Sequence, residues 1–129
     1  MTRKPEPFSL AIGHMTIVVA PMTDAQARKL EAEGVYIETK FLIMVRSRTS
    51  PAEQARVLIH ELLHACYDAG GWGDEARDQE AVCGLLDRGL ALVFQQNPSL
   101  LARLALALNH NIGIFESAPE PASSISAAP

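Results

Sequence analysis

Cysteine, basic charge and long apolar runs are all scarce in this chain of 129 residues. Two cysteines, Cys66 and Cys83, cannot build a disulfide framework, so we expect both to be free, buried thiols. Eleven Lys and Arg stand against fifteen Asp and Glu, and this net charge of −4 argues against a nucleic-acid-binding domain. No apolar run reaches the roughly 18 residues that a membrane span requires.

The remaining composition predicts one globular domain. Hydrophobic residues make up 48% of the chain and the mean hydropathy is +0.08, which excludes a disordered protein. We assign residues 1–116 to a single domain and expect the Pro, Ala and Ser tail of residues 117–129 to be disordered. Residues 3–20 loosely resemble a signal peptide, but His14 and Thr16 interrupt the apolar run, so we expect a cytoplasmic protein.

β-strand signals are confined to the first third of the chain. Alternation of Met15, Ile17 and Val19 with polar or smaller residues is typical of a strand. We predict one strand or a bent pair over residues 8–20, a helix from Thr23-Asp24 to Ala32 that Gly34 closes, and a hairpin of residues 35–37 and 41–45.

Helical signals dominate the rest of the chain. Serine at the cap, proline at the first helical position and glutamate at the third mark a helix start at residues 50–53. That helix should run to Ala69, a second from Asp74 or Asp78 to about Gln96, and a third over residues 100–108. Because strands precede helices instead of alternating with them, we predict a small α+β fold with a sheet packed on the residue 51–69 helix and two further helices.

The motif that carries chemistry is H-E-x-x-H, at residues 60–64 of the first of these long helices. A helix advances about 100° per residue, so His60 and His64 lie one turn apart and can bind one metal ion. Glu61 lies beside them, within reach of a water molecule at that metal. The opposite arc is apolar, so we expect all three at the edge of a cleft. The residues of that arc are Leu58, Ile59, Leu62, Leu63, Ala65, Cys66 and Ala69.

A catalytic zinc site needs three protein ligands and one open position, so a third side chain has to join the histidines. The longer motif that ends in a third histidine is excluded, because Tyr67 and Gly70 occupy the positions where it needs glycine and histidine. Glu75, Asp78 and Glu80 of the following helix remain as candidates. We favour Glu80 over Asp78, since Glu80 lies opposite the apolar stripe of its helix and is flanked by small residues.

These features resemble the small prophage-type zinc metallopeptidases of the minimal glutamate-zincin kind and, more distantly, the IrrE/ImmA group. The resemblance covers about residues 35–101, and the histidine motif is its specific part. It implies a zincin-like fold, zinc held by His60, His64 and Glu80, and Glu61 as general base. The matching positions outside the motif are Ser50-Pro51, Leu58-Ile59, Ala65, Val82, Leu86, Gly89-Leu90 and Asn97-Pro98-Ser99-Leu100.

The expected function is therefore a phage-associated, zinc-dependent peptidase in which Glu61 accepts the proton of the attacking water. A peptide or protein substrate could pair with the free edge of residues 41–45. Tyr67, His14 and His110 are candidates for stabilising the oxyanion, and Asp68 for orienting His64. The alternative is a non-proteolytic zinc-binding phage accessory, regulatory or assembly protein. The apolar residue 99–115 helix could bind such a partner or a second copy of the chain.

Overall fold

A computed structural model describes residues 4–69 and 79–116 and shows a small α+β fold, which confirms the predicted class. Four strands form one sheet, and the three long helices cover one of its faces. No helix among the described residues is long and apolar enough to cross a membrane. The elements are β1 (Phe8–Ile12), β2 (Met15–Met22), α1 (Asp24–Leu30), β3 (Gly34–Ile37), the 3-10 helix (Glu38–Lys40), β4 (Leu42–Arg46), α2 (Pro51–Ala69), α3 (Gln79–Gln96) and α4 (Pro98–His110).

The sheet is mixed, with the strand order β1-β2-β4-β3. β1 and β2 form an antiparallel hairpin, β2 and β4 run parallel, and β3 pairs antiparallel with β4. The expectation that residues 41–45 form a free edge is therefore wrong, because β4 lies between β2 and β3. The outer strand on this side of the sheet is β3.

The core lies between one face of the sheet and the helices. Ile17, Val19 and Ile43 have no exposed surface, whereas Thr16 and Val18 point to the opposite face and are exposed. The period-2 alternation of β2 therefore set its buried face, as strand geometry requires. Helices α2, α3 and α4 supply the other wall of the core. Their fully or almost fully buried apolar members are Ala55, Val57, Leu58, Leu62, Ala65, Cys66, Val93, Leu100, Leu104 and Ala107.

Part of the β1 edge of the sheet is capped by Gln96, the last residue of α3, and by Asn97, which follows it. The Asn97 amide accepts a hydrogen bond from the Ala11 N–H at 2.9 Å and donates one to the Ala11 carbonyl at 2.7 Å. Gln96 does the same for Gly13, accepting at 2.6 Å and donating at 3.0 Å. At Ala11 and Gly13 these side-chain amides take the place of a neighbouring strand, which shortens the edge that could pair with another chain.

Two helices differ from their sequence-based description. α1 ends at Leu30 with Glu31 in the left-handed conformation (φ 54°), so Gly34 begins β3 and does not close the helix. α4 buries only the side that carries Leu100 and Leu104, and leaves Leu101 55% and Leu108 49% exposed. Its apolar surface is therefore divided between the core and the outside.

Candidate metal centre

The N-terminal end of α2 is held in place by two polar side chains. The Ser50 hydroxyl accepts a hydrogen bond from the Glu53 N–H at 3.2 Å, as the predicted cap requires. Gln54 is only 5% exposed and donates hydrogen bonds to the carbonyls of Ser47 and Thr49. It also accepts one from the Ile114 N–H at 3.0 Å, which ties the last described segment to this helix. α2 is therefore a firm support for the histidine motif two turns further on.

His60 and His64 lie side by side on the exposed surface of α2. Their ring centroids are 5.0 Å apart and the ring planes meet at 74°. Two imidazoles on one tetrahedral zinc, with Zn–N bonds of about 2.0–2.1 Å, place their centroids about 5 Å apart. The side chains thus already stand at the separation that a shared zinc ion needs.

Glu61 differs from the histidines in being almost completely buried, with 7% of its surface exposed. The sequence interpretation grouped Glu61 with the histidines at the edge of a cleft, whereas the structure buries Glu61 and leaves both histidines exposed. No residue in the described ranges donates a hydrogen bond to its carboxylate. Because no fully buried side-chain oxygen there lacks a partner, the Glu61 oxygens retain contact with solvent. The result is a carboxylate with a buried stem and a small opening to water.

Gly34 of β3 accounts for the burial of Glu61. A Cβ atom at this position would lie 2.3 Å from Val57 Cγ1, 3.2 Å from the Met44 carbonyl oxygen and 3.4 Å from Glu61 Cγ. Only glycine allows the edge strand to approach α2 this closely, since a real Cβ would overlap the valine. The close approach covers the Glu61 stem with strand backbone.

The histidines lie on the outer side of this contact. Measured around α2 from His60, Val57 and Glu61 stand at about 60° and 100° and face β3, while His64 stands at about 40°. Around α2, the histidines therefore follow directly after the side chains that face β3, on the side away from the core. They border the outer edge of the sheet, next to β3, its outermost strand on this side.

The backbone of β3 offers unpaired hydrogen-bonding groups at this edge. The Arg46 N–H donates to the Glu33 carbonyl, and the β3–β4 register then directs Val35 and Ile37 toward β4. Gly34 and Tyr36 point their N–H and C=O groups outward, and no described residue pairs with them. We call the surface between these groups and the Glu61, His64 and Asp68 side of α2 the β3 groove.

Asp68 binds the end of β3 and not the histidines. The Tyr36 hydroxyl donates a hydrogen bond to Asp68 Oδ2 at 2.7 Å, and burial together with this bond raises the pKa of Tyr36. Glu38 lies next to Asp68, and their hydrogen bond and mutual charge raise the pKa of Glu38. The expectation that Asp68 orients His64 has no support in these contacts.

The third ligand cannot be read from the described side chains. Glu80 lies in the first turn of α3 but its side chain is outside the described set, and Asp78 and Glu75 lie outside the described residues altogether. Within that described set, no third histidine, cysteine or carboxylate joins the pair. The ligand role of Glu80 therefore stays a prediction.

Two residues of this site were missed at the sequence level. Gly34 was interpreted as a helix stop, and Tyr36 only as part of a β-rich run. Nothing local in the sequence marks either one, because their importance comes from the strand order that places β3 beside α2. Of the proposed oxyanion donors, His14 lies next to Gly13 at the β1 edge, on the opposite side of the sheet from β3.

Comparisons of the chain with models of protein families, with curated proteins and with solved structures found no match. Any functional conclusion must therefore come from the geometry of α2 and β3. That geometry consists of a pair of imidazoles, a carboxylate with a buried stem, and an edge strand whose outer side pairs with no described residue.

Proposed function

We propose that this chain is a zinc-dependent peptidase of the minimal glutamate-zincin kind. The single observation that carries the proposal is the 5.0 Å separation of the His60 and His64 rings, with Glu61 one residue away on the same helix. Histidine side chains one helical turn apart suit a shared zinc, and a neighbouring glutamate suits proton transfer at that ion. Both the chemistry of these three side chains and their positions on the helix therefore suit a zinc hydrolase.

Zinc would be held by His60, His64 and Glu80. The assignment of Glu80 carries a geometric condition, because Gly89 of α3 packs on Cys66 of α2, with a Cβ at Gly89 only 2.8 Å from Cys66 Cβ. Glu80 precedes Gly89 by nine residues, which is about 13–14 Å along an α-helix. A ligand at Glu80 therefore requires α3 to cross α2 at an angle that brings its first turn to the histidines. Asp78 is the second choice.

The Glu61 carboxylate has the surroundings of a general base. Its stem is packed beneath Gly34, so the group has little freedom, while its oxygens reach solvent. When bound, zinc would polarise the scissile carbonyl and increase the acidity of the attacking water. Glu61 would take the proton of that water and pass it to the leaving amine.

The substrate would lie in the β3 groove as an extended peptide. The outward N–H and C=O groups of Gly34 and Tyr36 provide two pairing positions, and a paired strand lies about 4.8 Å outside β3. This line passes the histidines, since they border the same edge. Because Asn97 and Gln96 cap the opposite edge at Ala11 and Gly13, β3 is the outer strand better suited to accept a peptide.

The test is hydrolysis of a peptide mixture by the zinc-loaded full-length protein, followed by mass spectrometry of the products. We expect cleavage that a chelator abolishes and that zinc restores. Glu61→Gln should retain zinc and the wild-type melting temperature but lose cleavage, because an amide does not accept the proton. Glu53→Gln is the matched control, since it removes an acid two turns earlier on the same helix. Cleavage by Glu61→Gln at the wild-type rate would refute the mechanism.

The third ligand is tested by zinc affinity in three variants. Glu80→Gln should weaken zinc binding strongly, whereas Asp78→Asn and Glu75→Gln should leave it near the wild-type value. Loss of zinc in Asp78→Asn with retention in Glu80→Gln would transfer the ligand role to Asp78.

A non-proteolytic zinc-binding protein that acts through a partner is the second candidate function. The observation in its favour is the exposure of Leu101 and Leu108, which lie two turns apart on one side of α4. With a second copy of the chain as that partner, this function predicts zinc binding without cleavage of any peptide, and self-association that Leu101→Glu abolishes. Sedimentation of the wild type and of this variant distinguishes it from the peptidase.

A further inference from the structure

One end of the β3 groove carries acidic side chains without a cation. Glu38 directly follows β3, and Asp68 lies in the last turn of α2 and is bound by the Tyr36 hydroxyl. None of the ion pairs among residues 4–69 and 79–116 involves Glu38 or Asp68. The two carboxyl groups are close enough that their hydrogen bond and charge raise the pKa of Glu38. A cation placed between them would relieve this repulsion.

Glu61 gives an independent indication that the same groove receives a ligand. Glu61 is more than nine-tenths buried, and no described residue donates a hydrogen bond to its carboxylate. Glu61 and Asp68 stand at about 100° and 80° around α2, so both border β3 on one line of the helix. The buried acid and the acidic pair therefore belong to one surface.

The spacing along this line corresponds to a short extended peptide. Seven residues of helix separate Glu61 from Asp68, which is about 10 Å, or roughly three residues of an extended chain. Gly34 contacts the Glu61 end and Tyr36 reaches the Asp68 end, so β3 and α2 run in the same direction. A peptide paired with β3 would pass Glu61 first and the carboxyl pair about three residues later.

We propose that Glu38 and Asp68 form a specificity site for a lysine or arginine side chain, about three residues from the bond beside Glu61. This inference rests on the proposed peptidase function and names the class of peptide that the groove prefers. The long basic side chain reaches from the peptide backbone to the carboxylates while its apolar stem lies on Tyr36. Pairing with two carboxylates, one already fixed by Tyr36, provides the selectivity.

The experiment measures peptide binding separately from cleavage. All proteins carry Glu61→Gln to prevent turnover, are zinc-loaded, and are studied at pH 7.5. The probes are fluorescent decapeptides with blocked termini, in which one Lys is moved along an otherwise neutral sequence or replaced by Gln. Fluorescence anisotropy then gives the ratio of Lys to Gln affinity. We expect a preference of about fivefold for Lys at one position, the upper end for a pair of partly exposed charges.

Matched variants locate that preference. Asp68→Asn, which can still accept the Tyr36 hydrogen bond, and Glu38→Gln should each reduce the ratio toward one. Glu6→Gln, which removes an acid near the opposite edge of the sheet, should leave it unchanged. Glu38→Lys should reverse the preference in favour of a Glu-containing peptide. Circular dichroism establishes that each variant is folded.

The outcomes separate this inference from the peptidase proposal. Equal binding of Lys and Gln peptides, a preference that survives in the Glu38 and Asp68 variants, or no peptide binding at all would overturn the specificity site. A preserved Lys preference in a protein whose wild type cleaves nothing would support the site and refute the peptidase. Cleavage without any dependence on Lys would support the peptidase and refute the site.

Discussion

Gly34→Ala is the substitution whose effect the structure predicts most sharply. The new Cβ would lie 2.3 Å from Val57 Cγ1, whereas unbonded carbon atoms pack at about 3.5–4.0 Å. Val57 is 5% exposed and cannot turn away into solvent, so β3 has to shift outward by about 1 Å or more. Overpacking of a core typically costs about 1–3 kcal/mol, and we expect the free energy of unfolding to fall by that amount.

A double-mutant cycle tests this origin of the loss. Val57→Ala alone removes buried methyl groups and should cost about 1–3 kcal/mol. In Gly34→Ala/Val57→Ala the overlap with Cγ1 is gone and the new methyl fills part of the vacated space. We therefore expect the double variant to be more stable than the sum of the single losses predicts, by at least about 1 kcal/mol. Urea denaturation followed by circular dichroism measures all four free energies.

Additive losses, within about 0.5 kcal/mol, would refute the reasoning, because they would mean that β3 and α2 do not meet at these two residues. The same cycle bears on the site, since Glu61 Cγ is the third neighbour of the added methyl at 3.4 Å. Gly34→Ala should therefore also reduce peptide cleavage, and Val57→Ala should partly restore it.

Three further predictions concern the β1 edge, the acidic pair and the buried thiol. Asn97→Ala should lower the free energy of unfolding by about 2–3 kcal/mol in urea denaturation, because it leaves both Ala11 backbone groups and the Val93 carbonyl without their side-chain partner. A loss under about 0.5 kcal/mol would contradict the role of Asn97 in capping β1. Glu38→Gln should raise the melting temperature at pH 8 but not below pH 4.5. The folded state raises the pKa of Glu38 above its ordinary 4.5, so the wild type loses stability as the pH rises through that raised value. An equal gain in melting temperature at both pH values would argue against the carboxyl pair. Cys66 is 1% exposed and burial raises its pKa to about 11, so it should react with a thiol reagent only on unfolding. Fast reaction of Cys66 in the folded protein would contradict the packing of α2. A thiol count of two in denaturant without reductant would confirm that Cys83 is free as well.

Local signals in the sequence predicted the supports of the site well. The cap at Ser50, the first-turn proline and the alternation in β2 act over a few residues, so they could be interpreted without knowing the fold. The fold class followed from the segregation of strands and helices. The histidine spacing likewise placed both rings on one side of α2.

The remaining features depend on contacts between distant parts of the chain. Residues 41–45 and 35–37 both read as strands, but only the parallel pairing of β2 with β4 decides that β3 is outermost. The burial of Glu61 was not predicted, because a helical wheel considers one helix alone and β3 is what covers this residue at Gly34. The leucines of α4 could not be divided into buried and exposed sets for the same reason.

The most direct test of the metal centre is the zinc content of the purified protein by native mass spectrometry. We predict one zinc per chain in the wild type, none in His60→Ala or in His64→Ala, and one in His110→Ala, which removes an exposed histidine at the end of α4. An equal zinc content in all four proteins, or a wild type that binds no zinc when it is supplied in excess, would contradict the account.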